Sequence, residues 1–203
     1  MRIRFTVFRV LVISFAGMSF GCSSSQPATF TPAFLDDAPA NRQMTASEFP
    51  NSFVDHDGVA VDLTKYRGKP VVIVVVRGMP ESPGGVFCPN CLAQASSLSA
   101  NYEQFTSRGA ELLLVYPGPR DRSVEFRQQV KALTTQSRAM PYPVCLDQDC
   151  STCSQLGIRG DLAKPSTFIL NAKGEVVYAY VGRNTSDRPS IQGTLTELDR
   201  LKK

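Results

Sequence analysis

Two apolar runs stand out in the chain, VVIVVV at 71–76 and, led by Glu111, ELLLVYP at 111–117. Runs this short, rich in branched side chains and bounded by Gly and Pro, predict strands buried on both faces of an α/β sheet. FVDHDGVAVDL (53–63) carries β-prone pieces on either side of Asp55–Gly58 and predicts a hairpin. From Cys88 onward Leu92, Ala95, Leu98, Tyr102 and Phe105 recur at helical spacing, and Gly109 ends that helix. A polar helix is predicted over 121–137, with Val124, Val130 and Leu133 inward, then a strand at 142–147 and a short helix from Cys150 to Leu156. PSTFIL (165–170) and EVVYAYV (175–181) flank the Asn171–Gly174 turn as a second hairpin. A last helix, 188–202, places Ile191, Leu195, Leu198 and Leu201 on one face. This order predicts an α/β sandwich with mixed strand directions.

The first 21 residues do not fit that domain. Arg2, Arg4 and Arg9 precede an apolar stretch from Val10 to Phe20 that is short for a membrane span and ends in Ser19-Phe20-Gly21-Cys22. This predicts a secretory signal over residues 1–21. Small residues before a cysteine resemble a bacterial lipobox, so Cys22 is the expected lipidation site; Ser19-x-Gly21 would equally serve an ordinary signal peptidase. Residues 22–48 are rich in Ser, Pro, Thr and Ala and read as a flexible tether, leaving 49–203 as the domain. The expected location is the bacterial cell envelope or periplasm, with a lipid anchor on the membrane. Three of the 22 basic residues and none of the 18 acidic ones lie in the signal, so the remainder carries 19 against 18. The sequence pI of 8.8 therefore describes the signal more than the domain, and no nucleic-acid surface follows from it.

Export permits disulfides. Besides Cys22 the chain holds Cys88, Cys91, Cys145, Cys150 and Cys153, an odd number that cannot all pair within one chain. Phe87-Cys88-Pro89-Asn90-Cys91 follows a buried strand and opens a helix. Pro89 suits the first helical position, where its missing N–H costs nothing. Cys88 meets the positive end of the helix dipole, which favours its thiolate. Cys88 is thus the expected nucleophile and Cys91 the resolving thiol, against a permanent staple or half of a zinc site. For Cys145, Cys150 and Cys153 the expectation is an auxiliary disulfide, Cys150–Cys153 or Cys145–Cys150; a redox relay and a C-x2-C…C-x2-C zinc site are the alternatives.

DHDGVAVDLTKYRGKPVVIVVV (55–76), FCPNC (87–91), GAELLLVYP (109–117) and KPSTFILNAKGEVVYAYVG (164–182) together resemble the AhpC/TSA, peroxiredoxin-like branch of the thioredoxin superfamily, and in particular its exported thiol–disulfide oxidoreductases. Arg77-Gly78 with the later Phe87-Cys88-Pro89-x-Cys91 is similar to an RG-WCP-C signature split by an insertion, with Phe87 where tryptophan is usual. The resemblance implies a thioredoxin fold, three-layer α/β/α around a mixed central sheet, with an N-terminal β-hairpin extension. It also implies that Pro165 is cis beside Cys88 and that the Lys164 backbone pairs with substrate. Arg77 is expected to hold a substrate anion, to assist the Cys88 thiolate, or to form a salt bridge at the strand end.

The expected activity is thiol–disulfide exchange on protein thiols and disulfides with an external electron donor or acceptor, no cofactor and no metal. Two rivals are a peroxiredoxin-like thiol peroxidase and a non-catalytic module with structural or zinc-binding cysteines. Peroxiredoxins carry a hydroxyl three residues before the reactive cysteine and a proline four before that; Gly85 and Glu81 stand there. Copper-delivery relatives need a downstream histidine, and His56, read as a solvent-facing turn residue, is the only histidine. Asp62 and Asp147 fit turns and caps as well as proton shuttles. Asn184-Thr185-Ser186 fits a glycosylation acceptor or an ordinary loop.

Overall fold

Among the described residues of the computed structural model, 33–78, 85–134 and 139–201, seven strands pair into one sheet. In chain order they are β1 (Ser52–Asp55), β2 (Ala60–Asp62), β3 (Val71–Val75), β4 (Glu111–Pro117), β5 (Val144–Asp147), β6 (Ser166–Leu170) and β7 (Val176–Val181). The spatial order is β2-β1-β5-β4-β3-β6-β7. Strands β3, β4 and β5 are parallel, β6 and β7 run antiparallel beside β3, and the β1–β2 hairpin extends the other edge. The α-helices among the described residues are α1 (Pro89–Ala100), α2 (Tyr102–Thr106), α3 (Arg120–Leu133), α4 (Ser151–Gln155) and α5 (Ile191–Arg200).

The solid apolar runs are explained by two cores, one on each face of the sheet. Val72, Val74, Val76, Leu112, Leu114 and Tyr116 enter the first, with Leu98, Phe105, Phe126 and Leu195 from the helices. Val71, Ile73, Val75, Leu113 and Val115 enter the second, with Leu156, Ile158 and Phe49. Alternate side chains thus leave each strand in opposite directions and all of them find cover. This is the expected three-layer α/β/α arrangement.

Three local expectations change. The helix read as continuous from Cys88 breaks at Asn101 into α1 and α2. On α3 the buried side chains are Arg122, Ser123, Phe126 and Val130, while Val124 and Leu133 are exposed. Phe126 is the reason, for its ring meets Phe87 at 5.7 Å and Tyr116 at 5.3 Å and sets the helix phase. Lastly, residues 33–48, read as tether, are bound along the β7 edge. Asn41 accepts the Val181 N–H through Oδ1 and donates its Nδ2 to the Val181 carbonyl, Tyr178 donates to the Ala38 carbonyl at 2.7 Å, and Leu35 bridges Pro189. Strand-edge groups that would otherwise stay open account for this docking. The signal, Cys22 and the rest of the tether lie outside the described residues, as do residues 79–84 and 135–138.

Gly78 fixes the exit from β3. Its φ of +71° is in the left-handed region, and a Cβ there would lie 2.0 Å from the Pro117 carbonyl oxygen. Gly58, at φ +86° with open space around it, carries the conformational demand alone. Gly58→Ala should therefore cost about 1 kcal/mol, and Gly78→Ala should cost more than about 2 kcal/mol because backbone must also move. Urea unfolding of both variants checks the difference.

Candidate active site

The site begins where β3 ends. Phe87, buried under Phe126 and capped by the Arg122 guanidinium 4.8 Å from its ring, anchors the segment before α1. Arg122 also donates to the Gly85 carbonyl at 2.8 Å and pairs with Glu125. This hold brings Cys88 to the N-cap position of α1 with Pro89 at the start of the helix. The Cys88 carbonyl accepts the Cys91 and Leu92 N–H groups at 2.9 and 3.1 Å. Cys88 is half-buried at the surface and Cys91, one turn deeper, is buried.

The two thiols divide one proton between them. Cys91 donates its S–H to the Cys88 sulfur, which is the largest cause of a Cys88 pKa lowered to about 5; the Cys91 backbone N–H, Arg188 and Arg77 add to it and burial opposes it. The same bond, with burial, holds the Cys91 thiol well above its ordinary range, and Arg188 pulls the other way. Cys91 Sγ also accepts the Arg77 backbone N–H at 3.4 Å. The Arg77 backbone thus lies beside the pair. At neutral pH Cys88 is a thiolate and Cys91 a thiol, an arrangement suited to attack by the first and resolution by the second.

Sequence reasoning missed the residue beneath. Arg188 is fully buried, donates to Gln94 Oε1 at 2.6 Å, and sets its Nη1 and Nη2 at 3.9 and 3.8 Å from Cys91 Sγ. Gln94 carried a signal: it is a polar residue three positions after Cys91 on an otherwise apolar helix face, and it is buried. Arg188 carried none: the sequence puts it at the exposed start of the last helix, 188–202, whereas that helix begins at Ile191 and Arg188 lies in the segment before it.

Pro165 and Lys164 depart from what the resemblance implied. None of the described peptide bonds is cis, so Lys164–Pro165 is trans, the ordinary state of an X–Pro bond. The Lys164 N–H donates to the Ile158 carbonyl at 2.8 Å, so it is not open to pair with a substrate strand, and the Lys164 carbonyl accepts the Ser166 hydroxyl at 2.9 Å. Pro165 is buried and its carbonyl accepts the Gly182 N–H at 2.8 Å. This loop still touches the site through Ala163, whose N–H donates to the Arg77 carbonyl at 3.0 Å.

Cys145 and Cys153 are both thiols, so neither expected bridge, Cys150–Cys153 or Cys145–Cys150, is formed. They sit in the second core with Cys150 packed against it, whereas Cys91 belongs to the first, with Cys88 against it. A sheet separates the two groups, which excludes one zinc ion held by both pairs. Burial pushes Cys145 up to about 12, and burial with a hydrogen bond to Asp147 pushes Cys153 up. Asp147 caps α4, accepting the Thr152 and Cys153 N–H groups at 3.0 and 2.9 Å. Asp62 likewise caps the turn at Leu63–Tyr66 by accepting the Thr64 N–H and hydroxyl, and Asn184 Oδ1 closes its own loop through Ser186 and Asp187. His56 is at the hairpin turn as expected, but its side chain is only 16% exposed and its Nε2 pairs with Asp57. Asp55, His56 and Asp57 are the one group among the described residues with metal-ligand atoms close together; Asp55 already accepts the Asp57 and Val59 N–H groups.

The AhpC/TSA family profile matches residues 40–179. Putative chloroplastic peroxiredoxin Q of Oryza sativa subsp. indica is 28% identical over 130 residues, 62% of this chain and 53% of that protein, so the chain spans about half the length of that relative. The thiol–disulfide oxidoreductase ResA of Halalkalibacterium halodurans is 23% identical over 159 residues, covering 77% of this chain and 78% of that protein. The crystal structure of a cysteine-to-serine mutant of peroxiredoxin 6 from Arenicola marina superposes with a TM-score of 0.67 at 17% identity, covering 79% and 74% of the two chains.

Alkylation of the reduced protein by iodoacetamide should rise with pH through a midpoint of about 5 and then stay level, because the thiolate is the reacting form and it exists above that pKa. Cys91→Ala removes the largest cause and should move the midpoint upward. Mass-resolved alkylation across a pH series checks both.

Proposed function

The chain belongs to the AhpC/TSA family, and from that premise we propose that it is a thiol–disulfide oxidoreductase working through Cys88 and Cys91. The observation that carries the reading is the half-exposed Cys88 sulfur held as thiolate by the buried Cys91 thiol. The thiolate attacks one sulfur of a substrate disulfide, the S–S bond breaks, and the far sulfur leaves as thiolate. Cys91 then attacks the Cys88 sulfur of the mixed disulfide. The substrate's remaining sulfur leaves with the proton Cys91 gave up, and a Cys88–Cys91 disulfide results. An external dithiol returns the pair to its reduced form: one of its thiolates attacks the Cys88–Cys91 bond, its second thiol resolves the mixed disulfide, and it leaves as a disulfide. Substrates are protein thiols and disulfides; the likeness to ResA supports this class.

Peroxide reduction is the second reading, favoured by the peroxiredoxin relatives and by the Arg77 and Arg188 cations beside the thiolate. There Cys88 would take an oxygen atom from the peroxide, releasing an alcohol, and Cys91 would resolve the sulfenic acid with loss of water. Exchange is preferred because Gly85 offers no hydroxyl to orient a peroxide; Glu81, the other position, lies outside the described residues. We extend the proposal to location: residues 1–21 direct export, and a lipid on Cys22 tethers the domain to a bacterial envelope membrane.

Insulin reduction and peroxide consumption, measured side by side, separate the readings. The wild type should turn over insulin faster than peroxide. Cys88→Ser should lower the insulin rate by at least about a hundredfold, and Cys91→Ser should accumulate mixed disulfide after one attack. Undiminished insulin reduction by Cys88→Ser would rule out the exchange reading.

A further inference from the structure

Arg188 is the bulkiest fully buried side chain among the described residues. A guanidinium withdrawn from water ordinarily has a carboxylate beside it, since an uncompensated buried charge is strongly unfavourable. None of the ion pairs among the described residues includes Arg188. The adjacent Asp187 is taken up by the Arg183 guanidinium and backbone N–H and by the Tyr180 hydroxyl. Arg188 has instead a neutral acceptor, Gln94 Oε1, and its Nε has no hydrogen-bond partner. The Phe34 ring lies 5.7 Å from the guanidinium carbon, and the Leu35 N–H takes the Arg188 carbonyl at 3.0 Å, so the docked N-terminal segment closes the cation in.

What faces the guanidinium is sulfur: both Nη atoms are within 3.9 Å of Cys91 Sγ. The anion that belongs with this cation is the single negative charge that Cys88 and Cys91 hold when reduced. Oxidation removes that charge and leaves Arg188 in place. Written as a half-reaction, the disulfide takes up two electrons and one proton and yields one thiolate and one thiol, creating the negative charge next to Arg188. Gln94 orients the fork without cancelling its charge.

We propose that Arg188 is a positioning residue that poises the Cys88–Cys91 pair toward its reduced form, making its disulfide a readier electron acceptor than the same pair without the buried cation. This rests on the exchange reading above.

The test equilibrates the full-length protein with a series of glutathione buffers and counts disulfide and dithiol forms by thiol trapping and mass spectrometry. Arg188→Met should raise the disulfide-to-dithiol ratio at a given buffer at least tenfold, equivalent to about 30 mV for this two-electron couple. Arg188→Lys, which keeps the charge, should recover most of the wild-type ratio. Gln94→Met should shift the ratio in the same direction as Arg188→Met by a smaller factor, and it decides the matter if Arg188→Met does not fold. Melting of each redox form gives a second readout: Arg188→Met should lower the melting temperature of the reduced form more than that of the oxidised form. Equal losses in both forms with an unchanged ratio would mean a merely structural role and overturn the inference, as would an unchanged ratio in folded Gln94→Met. A wild type that forms no Cys88–Cys91 disulfide in any buffer would bring down the exchange reading and this inference together; a wild type that cycles while Arg188→Met matches it would bring down this inference alone.

Discussion

The hydrogen bond from the Cys91 thiol to the Cys88 sulfur is the interaction on which the site depends. Two identical side chains three residues apart become chemically different because one is half-exposed at the helix start and the other is a turn deeper. Burial penalises charge on the deeper sulfur, so it keeps the proton and lends it to the outer one. The outer sulfur is then an anion in a setting that also offers a backbone N–H and two cations. Neither sulfur would hold this state without the other, and their titrations belong to the pair.

That asymmetry needs a scaffold that does not yield. The central strands are covered on both faces, and the segment before α1 is pinned from α3 by Phe126 and Arg122. Gly78 lets the chain leave β3 against the end of β4, and Ala163 ties the β6 approach to Arg77. The Cys88 sulfur is therefore placed by three neighbouring pieces of chain at the carboxyl end of the parallel strands, where open α/β sheets present their sites. The second set of cysteines shows the contrast: Cys145 and Cys153 are deep in the opposite core, their thiols kept protonated by burial, with Asp147 adding to it at Cys153, and they act there as small apolar side chains.

Much of this was legible in the chain before any coordinates. Strands β3 and β4 declare themselves because burial on both faces removes polar positions altogether, and Pro89 with two cysteines marks the helix start unambiguously. Helix α3 was misphased because its surface is polar and Arg122 is turned inward to a ring and a carbonyl, which hydrophobic spacing cannot register. The stretch at 33–48 has the composition of a linker, yet its backbone and Asn41 satisfy groups along β7, a role set by main-chain geometry and not by side-chain type. The Lys164–Pro165 expectation came from resemblance, and Ile158, which takes up the Lys164 N–H, has no signature in sequence. Arg188 is the largest omission: a charged residue at the expected start of a helix reads as surface until the fold buries it under Phe34 and against Cys91.

The most direct measurement is a count of thiolates by ultraviolet absorbance in the reduced protein at neutral pH. The account predicts one thiolate per molecule, absent after oxidation, absent in Cys88→Ser, and lost on acidification below about 5. A count of zero would mean that the outer sulfur is an ordinary thiol, and a count of two would mean that no proton is shared; either result contradicts the account.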